Sequence, residues 1–365
     1  MGRRCRRANR KRMPQQFIMS KAAADLYKIP QKPPPRHSHP LPAVHDTPMT
    51  NQTFPTAAGI AAASRSIDPL FANSPLIEQQ TANLALGLRL FAKVETLNPI
   101  RSFKGRGTGW WLENQAGSDV AVVTASAGNF GQGLAYACAK RGRAIVIFSA
   151  VTANPVKIEA MRRLGAEVRL EGNDFDAAKA AARAYAAAHG CPFVEDGALR
   201  EIAEGAGTIA LEITRQLERA KISLDAILVP LGNGALLTGI GTWIRAHAPS
   251  CRVIGVVAEG APAMKQAFET GRAVATATAD TAADGIAVRE CVPYALESMK
   301  TTVDEVWAVD EAAIAAARSF CLQHFGLVVE EAGAAGLAAL LARPGAFAGA
   351  TVATILCGGN VRAAG

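Results

Sequence analysis

The sequence predicts an α/β fold in which helices cover a mostly parallel β-sheet. Short apolar runs alternate with Ala-rich helical stretches from about residue 57 onward. Strands separated by helices of this length usually form parallel sheets. Val, Ile and Leu occupy both faces of the strands, as is typical of a sheet covered on both sides. The 365 residues are enough for more than one domain and a substantial core.

Glycine-rich and polar turns separate the predicted elements. The predicted strands span residues 120–124, 144–149, 167–170, 226–230, 253–258 and 352–356. The predicted helices span residues 133–141, 157–164 and 174–189. Gly165 and Gly190 end the second and third helices, because glycine readily adopts the left-handed backbone that closes a helix.

The positive charge of the chain belongs to its first 48 residues. They hold 11 of the 39 Lys and Arg residues but two of the 31 Asp and Glu residues, so the remainder is nearly neutral. This basic, Pro-rich tail is predicted to be disordered. Three interpretations remain open: contact with nucleic acid or an anionic membrane, a transit peptide, or a segment upstream of a true start at Met49. The neutral body argues against nucleic-acid binding by the fold itself.

The cysteines and the hydropathy pattern predict a cytoplasmic protein. The seven cysteines include no C-x-x-C pair, which argues against a disulfide framework or a structural zinc site and favours a reducing compartment. No apolar run reaches the roughly 18 residues that cross a bilayer.

Asn98–Gly107 is the first of four segments with candidate chemistry, and Lys104 lies in its middle. A lysine that forms a Schiff base needs an anchored stem, a ring-sized space and a nearby planar surface. Phe103 is a candidate for that surface, and glycines follow the lysine. The alternative is a surface lysine beside a core phenylalanine.

The second segment, Ser126–Gly133, lies between a predicted strand and a predicted helix. The N–H groups and the positive dipole end of such a helix suit a carboxylate or a phosphate. Ser126 adds a hydroxyl group and Asn129 an amide. The alternative is a capped turn that needs glycine for its backbone shape.

The third and fourth segments also follow predicted strands. Pro230–Gly241 is rich in small residues, which lets backbone N–H groups converge on a phosphate. It is neither a P-loop nor a dinucleotide fingerprint, since the Gly-Lys-Ser/Thr sequence and the third glycine are missing. Cys357 follows the last strand and faces the usual ligand crevice of an α/β sheet. Its alternative is a buried structural cysteine.

Together the four segments resemble the fold-type II pyridoxal-phosphate enzymes of the tryptophan synthase beta-like family. The chain is most similar to the serine/threonine dehydratase branch, which includes serine racemase, over about residues 60–360. The resemblance implies two open, mostly parallel twisted sheets flanked by helices. It also implies a large cofactor-binding domain of residues 49–114 and 194–365, a small domain of residues 115–193, and a homodimer.

The resemblance implies a role for each segment around pyridoxal 5′-phosphate. Lys104 resembles the lysine that holds the cofactor as a Schiff base and then removes the α-proton, and Phe103 resembles the residue packed near the ring. Asn129 matches the residue that binds the 3′-oxygen, and Cys357 the one beside the ring nitrogen. The substrate-carboxylate loop is Ser126, Ala127, Gly128 and Asn129, with Ser126 also catalytic. The phosphate loop is Gly232, Asn233, Gly234, Ala235 and Leu236.

Two departures from the family pattern bear on the site. The family's phosphate loop usually has four glycines, and Ala235 tolerates left-handed backbone poorly. Some members carry a metal site near the position of Glu259, but the carboxylate expected six residues later is Lys265 here. An ammonium group disfavours a divalent cation, so no metal is predicted.

The resemblance implies β-elimination from a small hydroxy-amino acid, L-threonine or L-serine, to give a 2-keto acid and ammonia. The β-hydroxyl group would leave with a proton from the cofactor phosphate. A thiol such as Cys357 holds a ring-nitrogen proton less well than a carboxylate, which favours elimination over transamination. A racemase, with Ser64 or Ser74 as second acid/base, and a β-replacement synthase remain alternatives. Binding of nucleic acid or membrane by the tail is the non-enzymatic alternative.

Overall fold

The computed structural model describes residues 53–115 and 118–361. The basic tail that the sequence predicts to be disordered, residues 1–48, lies outside the described residues. Among the described helices, none has the length and apolar character needed to cross a membrane.

Nine strands form two sheets in the described part of the chain. Six strands pair in the order β1-β2-β9-β6-β7-β8, and three pair in the order β3-β4-β5. Every pairing is parallel except that of the short edge strand β1 with β2. The strands are β1 (Leu76–Glu78), β2 (Arg89–Val94), β3 (Val122–Ala125), β4 (Ile145–Ser149), β5 (Glu167–Leu170), β6 (Ala226–Pro230), β7 (Arg252–Ala258), β8 (Glu305–Val309) and β9 (Thr351–Leu356).

Twelve α-helices in the described residues cover these sheets. Two large apolar clusters occupy opposite faces of the six-stranded sheet, so β6, β7 and β9 are buried on both sides. The helices are α1 (Ala57–Ser66), α2 (Gln80–Leu86), α3 (Lys104–Glu113), α4 (Asn129–Lys140), α5 (Pro155–Arg163), α6 (Phe175–His189), α7 (Arg200–Arg219), α8 (Ala235–His247), α9 (Ala263–Thr270), α10 (Pro293–Thr302), α11 (Glu311–Phe325) and α12 (Glu331–Leu341).

The predicted fold class is confirmed, and three local predictions are corrected. Helix α4 begins at Asn129, four residues earlier than predicted, and β3 spans residues 122–125 instead of 120–124. The glycines of α4 do not interrupt it, because they allow close packing: a Cβ on Gly133 would lie 3.2 Å from the carbonyl oxygen of Lys104. Strand β5 is only partly buried, unlike its neighbours, because it is an edge strand.

The sheet order brings distant parts of the sequence together. Strands β2, β9 and β6 are adjacent and parallel, so their carboxyl ends meet at one edge of the large sheet. The Asn98–Gly107 segment follows β2, Cys357 follows β9, and the glycine-rich segment follows β6. Ligands of open α/β sheets bind outside such carboxyl ends. Three of the four predicted segments therefore share one edge.

A buried ionic network fixes helix α3 behind that edge. The guanidinium group of Arg106 is fully buried and donates to the carboxylates of Glu95 and Glu212 at 2.7–3.0 Å. It also donates to Thr208 Oγ1 at 3.0 Å. Lys93, also fully buried, donates to Glu212 at 2.7 Å. Two cations and two carboxylates thus balance each other in the interior.

Removing Arg106 should strongly destabilise the fold. In an Arg106→Met variant the carboxylates of Glu95 and Glu212 stay buried without their main partner, which typically costs about 3–5 kcal/mol. Urea unfolding monitored by circular dichroism measures this free energy. Arg89→Met is the matched control, because Arg89 makes a similar pair with Glu78 at the surface, where such pairs contribute little. Equal losses in the two variants would contradict the assignment.

Candidate active site

Backbone hydrogen bonds attach the Lys104 segment to the end of β9. The N–H group of Phe103 donates to the carbonyl of Cys357 at 3.2 Å, and Gly359 N–H donates to the carbonyl of Arg101 at 2.9 Å. The side-chain amide of Asn98 donates to the carbonyl of Ser102 at 3.1 Å, which closes the loop before α3. The first and fourth predicted segments therefore form one structural unit.

Lys104 is the first residue of α3, and two aromatic rings flank its amine. Its Nζ lies 4.7 Å from the ring centre of Phe103 and 5.7 Å from that of Phe130. The side chain is 15% exposed, and Nζ donates to Asp196 Oδ2 at 2.5 Å. The lysine therefore has the anchored stem and the planar neighbours that the sequence predicts.

The glycine-rich segment after β6 turns directly into helix α8. Gly234 adopts a φ of 99°, and a Cβ at this position would lie 2.4 Å from Ala295 Cβ, so glycine is required there. Neither Asn233 nor Ala235 has a positive φ, and Ala235 is already the first residue of α8. The missing fourth glycine therefore imposes no strain. The N-terminus of α8 faces the cavity beside Lys104, where a phosphate is favoured.

The Ser126–Asn129 loop leads from β3 into α4. The Ser126 hydroxyl oxygen accepts hydrogen bonds from the N–H groups of Gly128 at 3.2 Å and Gly131 at 2.9 Å. Ser126 is buried, whereas Ala127, Gly128 and Asn129 are half-buried. The serine thus shapes the helix start through its oxygen, and its O–H group can still donate to a carboxylate.

The Asn129 side chain is held from both sides by the end of the chain's last sheet strand and the segment before α12. Its Nδ2 donates to Glu330 Oε1 at 2.6 Å, and its Oδ1 accepts from Asn360 Nδ2 at 2.9 Å. Glu330 is 3% exposed, and its other oxygen, Oε2, is buried and has no hydrogen-bond partner among the described residues. Burial raises the pKa of Glu330, although the nearby Lys157 opposes this rise.

Cys357 is a buried neutral thiol. Burial raises the pKa of the Cys357 thiol well above its ordinary value, and the charge of Glu330 adds to the rise. Its Sγ lies 3.8 Å from the carbonyl oxygen of Ala332. A neutral thiol at this position cannot provide the negative charge that a carboxylate would, as the sequence argument requires.

The cavity next to Lys104 combines an amine, an aromatic wall and a helix N-terminus. These features fit pyridoxal phosphate: the amine for its aldehyde, the rings for its pyridine, and the α8 loop for its phosphate. The glycines in the wall leave no room for side chains, since a Cβ on Gly232 would lie 2.8 Å from the carbonyl oxygen of Gly285. The lining residues are Phe103, Lys104, Pro230, Gly232, Asn233, Gly234, Ala235, Leu236, Gly285, Ile286 and Cys357.

Two other sequence predictions concern residues with different partners. Lys265, at the position where a metal-binding carboxylate was considered, pairs with Glu269 within α9. Residues 53–115 and 118–361 contain no cluster of three or more His, Cys, Asp or Glu side chains suited to a metal ion. Ser74, considered as an acid/base, donates to Glu95 at 2.5 Å in the ionic network, and Ser64 donates to the carbonyl of Ala61 at 2.8 Å.

The sequence analysis missed two carboxylates of the site, Asp196 and Glu330. Asp196 contacts Lys104, and Glu330 contacts Asn129. Both lie far from their partners in the sequence, by 92 and 201 residues respectively. The only available signal was a carboxylate directly after a short apolar stretch, Phe193-Val194 for Asp196 and Leu327–Val329 for Glu330. That signal is shared by many surface residues.

Residues 67–358 match the profile of a family described as "Pyridoxal-phosphate dependent enzyme". The chain belongs to this family. The match covers most of the chain, so the family and the cofactor predicted from the sequence are confirmed. As a pyridoxal-phosphate-dependent enzyme, the chain can be compared directly with its named relatives.

The curated relatives place this pyridoxal-phosphate-dependent enzyme in the predicted threonine dehydratase branch. It is 36% identical to L-threonine ammonia-lyase of Geobacter sulfurreducens, covering 78% of this chain and 71% of the relative. It is 34% identical to the biosynthetic L-threonine dehydratase of Lactococcus lactis, covering 74% of this chain and 66% of the relative. The chain therefore spans about two thirds to 71% of the length of these two relatives.

Solved structures agree with the predicted fold. The structure of a threonine deaminase from the source abbreviated T.th. superposes with a TM-score of 0.79 at 31% identity, covering 84% of this chain and 99% of that one. Maize serine racemase superposes with the same TM-score at 25% identity, covering 85% of this chain and 95% of that one. Enzymes with different printed activities thus share this fold, and the residues of the site must distinguish them.

Replacing Glu330 with glutamine should change how stability depends on pH. Because its pKa is raised in the folded state, Glu330 keeps its proton to a higher pH in the folded protein than in the unfolded chain. Stability should therefore decrease as the pH rises from about 4.5, the ordinary value, through the raised pKa. Glu330→Gln removes this decrease, while its amide oxygen can still accept from Asn129.

Urea unfolding of both proteins across this pH range tests the prediction, because other titrating groups cancel in the difference. The stability of Glu330→Gln relative to the wild type should increase with pH. A difference that stays constant, or that decreases with pH, would show that burial does not raise the pKa of Glu330.

Proposed function

We propose that this enzyme catalyses the pyridoxal-phosphate-dependent β-elimination of a small hydroxy-amino acid, with release of a 2-keto acid and ammonia. The observation that carries the proposal is the Lys104 amine, which lies between two aromatic rings in a cavity lined by the α8 loop and a neutral Cys357. The printed names of the relatives favour L-threonine as substrate, and L-serine is the second candidate.

The proposed roles follow from where the side chains lie. The cofactor, when bound, supplies an aldehyde for the amines of lysine and substrate and a ring that accepts electrons from the Cα–H bond. We propose that the α8 loop, Gly232–Leu236, holds the phosphate through backbone N–H groups. Phe103 would pack against the ring, and Asn129 would donate to the ring oxygen from its fixed position between Glu330 and Asn360.

Substrate binding and proton removal would involve the other two segments. The substrate carboxylate would bind at the N-terminus of α4, where Ser126 and the backbone of residues 127–129 present N–H and O–H donors. Lys104 would then remove the α-proton as general base, because its amine is in the cavity and its helix is fixed. Loss of the β-hydroxyl group completes the elimination.

The thiol of Cys357 supports elimination over transamination. A carboxylate beside the ring nitrogen would keep it protonated and make the cofactor a strong electron acceptor. The Cys357 thiol is neutral, since burial raises its pKa. A less stabilised carbanion expels a β-leaving group more readily than it persists. This argument supports a lyase, and racemisation or β-replacement would appear as other products in the assay below.

We further propose a cytoplasmic homodimer with a small domain of residues 115–193 and a large domain of residues 49–114 and 194–365. The three-stranded sheet, residues 122–170, falls within the first range. The resemblance to the family supports the dimer, and the nearly neutral charge after residue 48 supports a small-molecule substrate over nucleic acid for the folded body. Light scattering of the purified protein measures the oligomeric state.

Lys104→Ala should abolish keto-acid formation. The wild-type enzyme, incubated with pyridoxal phosphate and L-threonine or L-serine, should release the corresponding 2-keto acid, measured by hydrazone formation or reduction with NADH. The variant should be slower by at least about 10²- to 10⁴-fold, the contribution of a positioned general base. Lys300→Ala is the control, because Lys300 is an exposed lysine paired with Glu297 at the surface.

The same assay separates the alternatives. Inversion at the α-carbon without keto acid would identify a racemase, and a new β-substituted amino acid in the presence of a thiol would identify a synthase. Wild-type protein that binds the cofactor but forms none of these products would contradict the proposed function.

A further inference from the structure

The segment that contains Asp196 lies beside the Ser126–Asn129 loop. Residues 192–194 pair in parallel with β3: Val123 N–H donates to the carbonyl of Pro192 at 3.0 Å, and Val194 N–H donates to the carbonyl of Val123 at 2.8 Å. Because the pairing is parallel, the chain leaves this segment at the same edge as the end of β3. Asp196 therefore emerges where the substrate carboxylate is expected to bind.

The carboxylate of Asp196 contacts Lys104 and the phosphate loop. Its Oδ2 accepts a hydrogen bond from Lys104 Nζ at 2.5 Å and one from Asn233 Nδ2 at 3.4 Å. Its Oδ1 is buried and has no hydrogen-bond partner in the described part of the chain. A buried carboxylate oxygen without a donor is costly, and its position beside the catalytic amine suggests that a substrate group satisfies it.

The backbone around Asp196 is fixed by close packing. Gly197 has a φ of 81°, and a Cβ there would lie 2.1 Å from the carbonyl oxygen of Asn233. A larger residue is therefore excluded at position 197, and the chain runs directly against the phosphate loop. The side chain of Asp196, 12% exposed, is thereby held between this loop and the amine of Lys104.

We propose that Asp196 is a further catalytic residue, which transfers the proton that Lys104 removes from the α-carbon to the departing β-hydroxyl group. This inference rests on the proposed β-elimination. It differs from the family expectation stated above, in which the cofactor phosphate donates that proton. Asp196 contacts the reacting amine directly, whereas an unpartnered Oδ1 gives it a second oxygen with which to meet the β-hydroxyl group.

The proposed transfer is balanced in atoms and electrons. The Cα–H bond breaks and its proton goes to the Lys104 amine, while its electron pair becomes the Cα–Cβ double bond. The resulting ammonium gives a proton to the Asp196 carboxylate through the Nζ–Oδ2 contact. Rotation about the Cβ–Cγ bond of Asp196 turns the protonated oxygen towards the β-oxygen. The C–O bond breaks with its electron pair on oxygen, the proton joins it, and water leaves.

The leaving group provides a test that a structural role would not pass. L-Serine needs a proton for its departing hydroxyl group, whereas β-chloro-L-alanine, with the same three-carbon skeleton, loses chloride without one. In an Asp196→Asn variant, keto-acid formation from L-serine should decrease by about 10²- to 10⁴-fold, the usual contribution of a positioned acid. Formation of the same keto acid from β-chloro-L-alanine should stay close to the wild-type rate.

Two controls accompany this experiment. The visible absorbance of the lysine-bound cofactor shows whether the variant loads it, independently of activity; if Asp196→Asn does not, Asp196→Ala is measured in the same way. Glu195→Gln is the matched neighbour, because Glu195 pairs with Lys179 and Arg183 on α6. It should leave both substrates unaffected.

Each outcome decides the proposal. Selective loss with L-serine supports it. Equal loss with both substrates would assign Asp196 to positioning alone, and unchanged rates with both would leave proton donation to another group; either result overturns the relay. Wild-type enzyme that eliminates from neither substrate would instead overturn the proposed β-elimination on which the relay rests.

Discussion

The buried guanidinium group of Arg106 is the constraint on which the position of the catalytic lysine depends. Arg106 lies two residues after Lys104 in α3, and its carboxylate partners come from the end of β2 and from α7. Moving such a charge out of water costs several kcal/mol unless its hydrogen bonds are satisfied. Glu95, Glu212 and Thr208 satisfy them in one geometry. The start of α3, and with it Lys104, is therefore held at the sheet edge.

The parallel sheet explains why a few separate segments can build the site. Strands β2, β9 and β6 are neighbours, so the lysine segment, Cys357 and the phosphate loop meet without a long loop crossing the surface. The three-stranded sheet contributes the Ser126–Asn129 loop and, through the segment beside β3, Asp196. Helix N-termini then supply the positive ends that anionic groups need. The site uses backbone geometry for binding and few side chains for chemistry.

Much of this arrangement could be predicted because it depends on local sequence. Apolar runs between glycine-rich turns identified most of the strands around the site, and the strand–loop–helix pattern identified the loops after β3 and β6. The concern over Ala235 was wrong because a residue count cannot show where a helix begins: Ala235 is helical, and Gly234 alone takes the left-handed conformation. The start of α4 was misplaced for a similar reason, since its glycines serve close packing against α3.

The contacts that tune the site could not be predicted in this way. Arg106 meets Glu212 across 106 residues, and Lys104 meets Asp196 across 92. Such pairs depend on how whole elements pack, and no local pattern distinguishes their carboxylates from those at the surface. Burial, which raises the pKa of Glu330 and of Cys357, is likewise a property of the folded chain.

The most direct test of the central claim is to identify the lysine that holds the cofactor. Borohydride reduction of the enzyme loaded with pyridoxal phosphate makes the lysine–cofactor bond permanent, and peptide mapping by mass spectrometry then locates it. The arrangement of α3 predicts the modification on Lys104. Modification of another lysine in the site region, such as Lys157, or of none, would contradict this account.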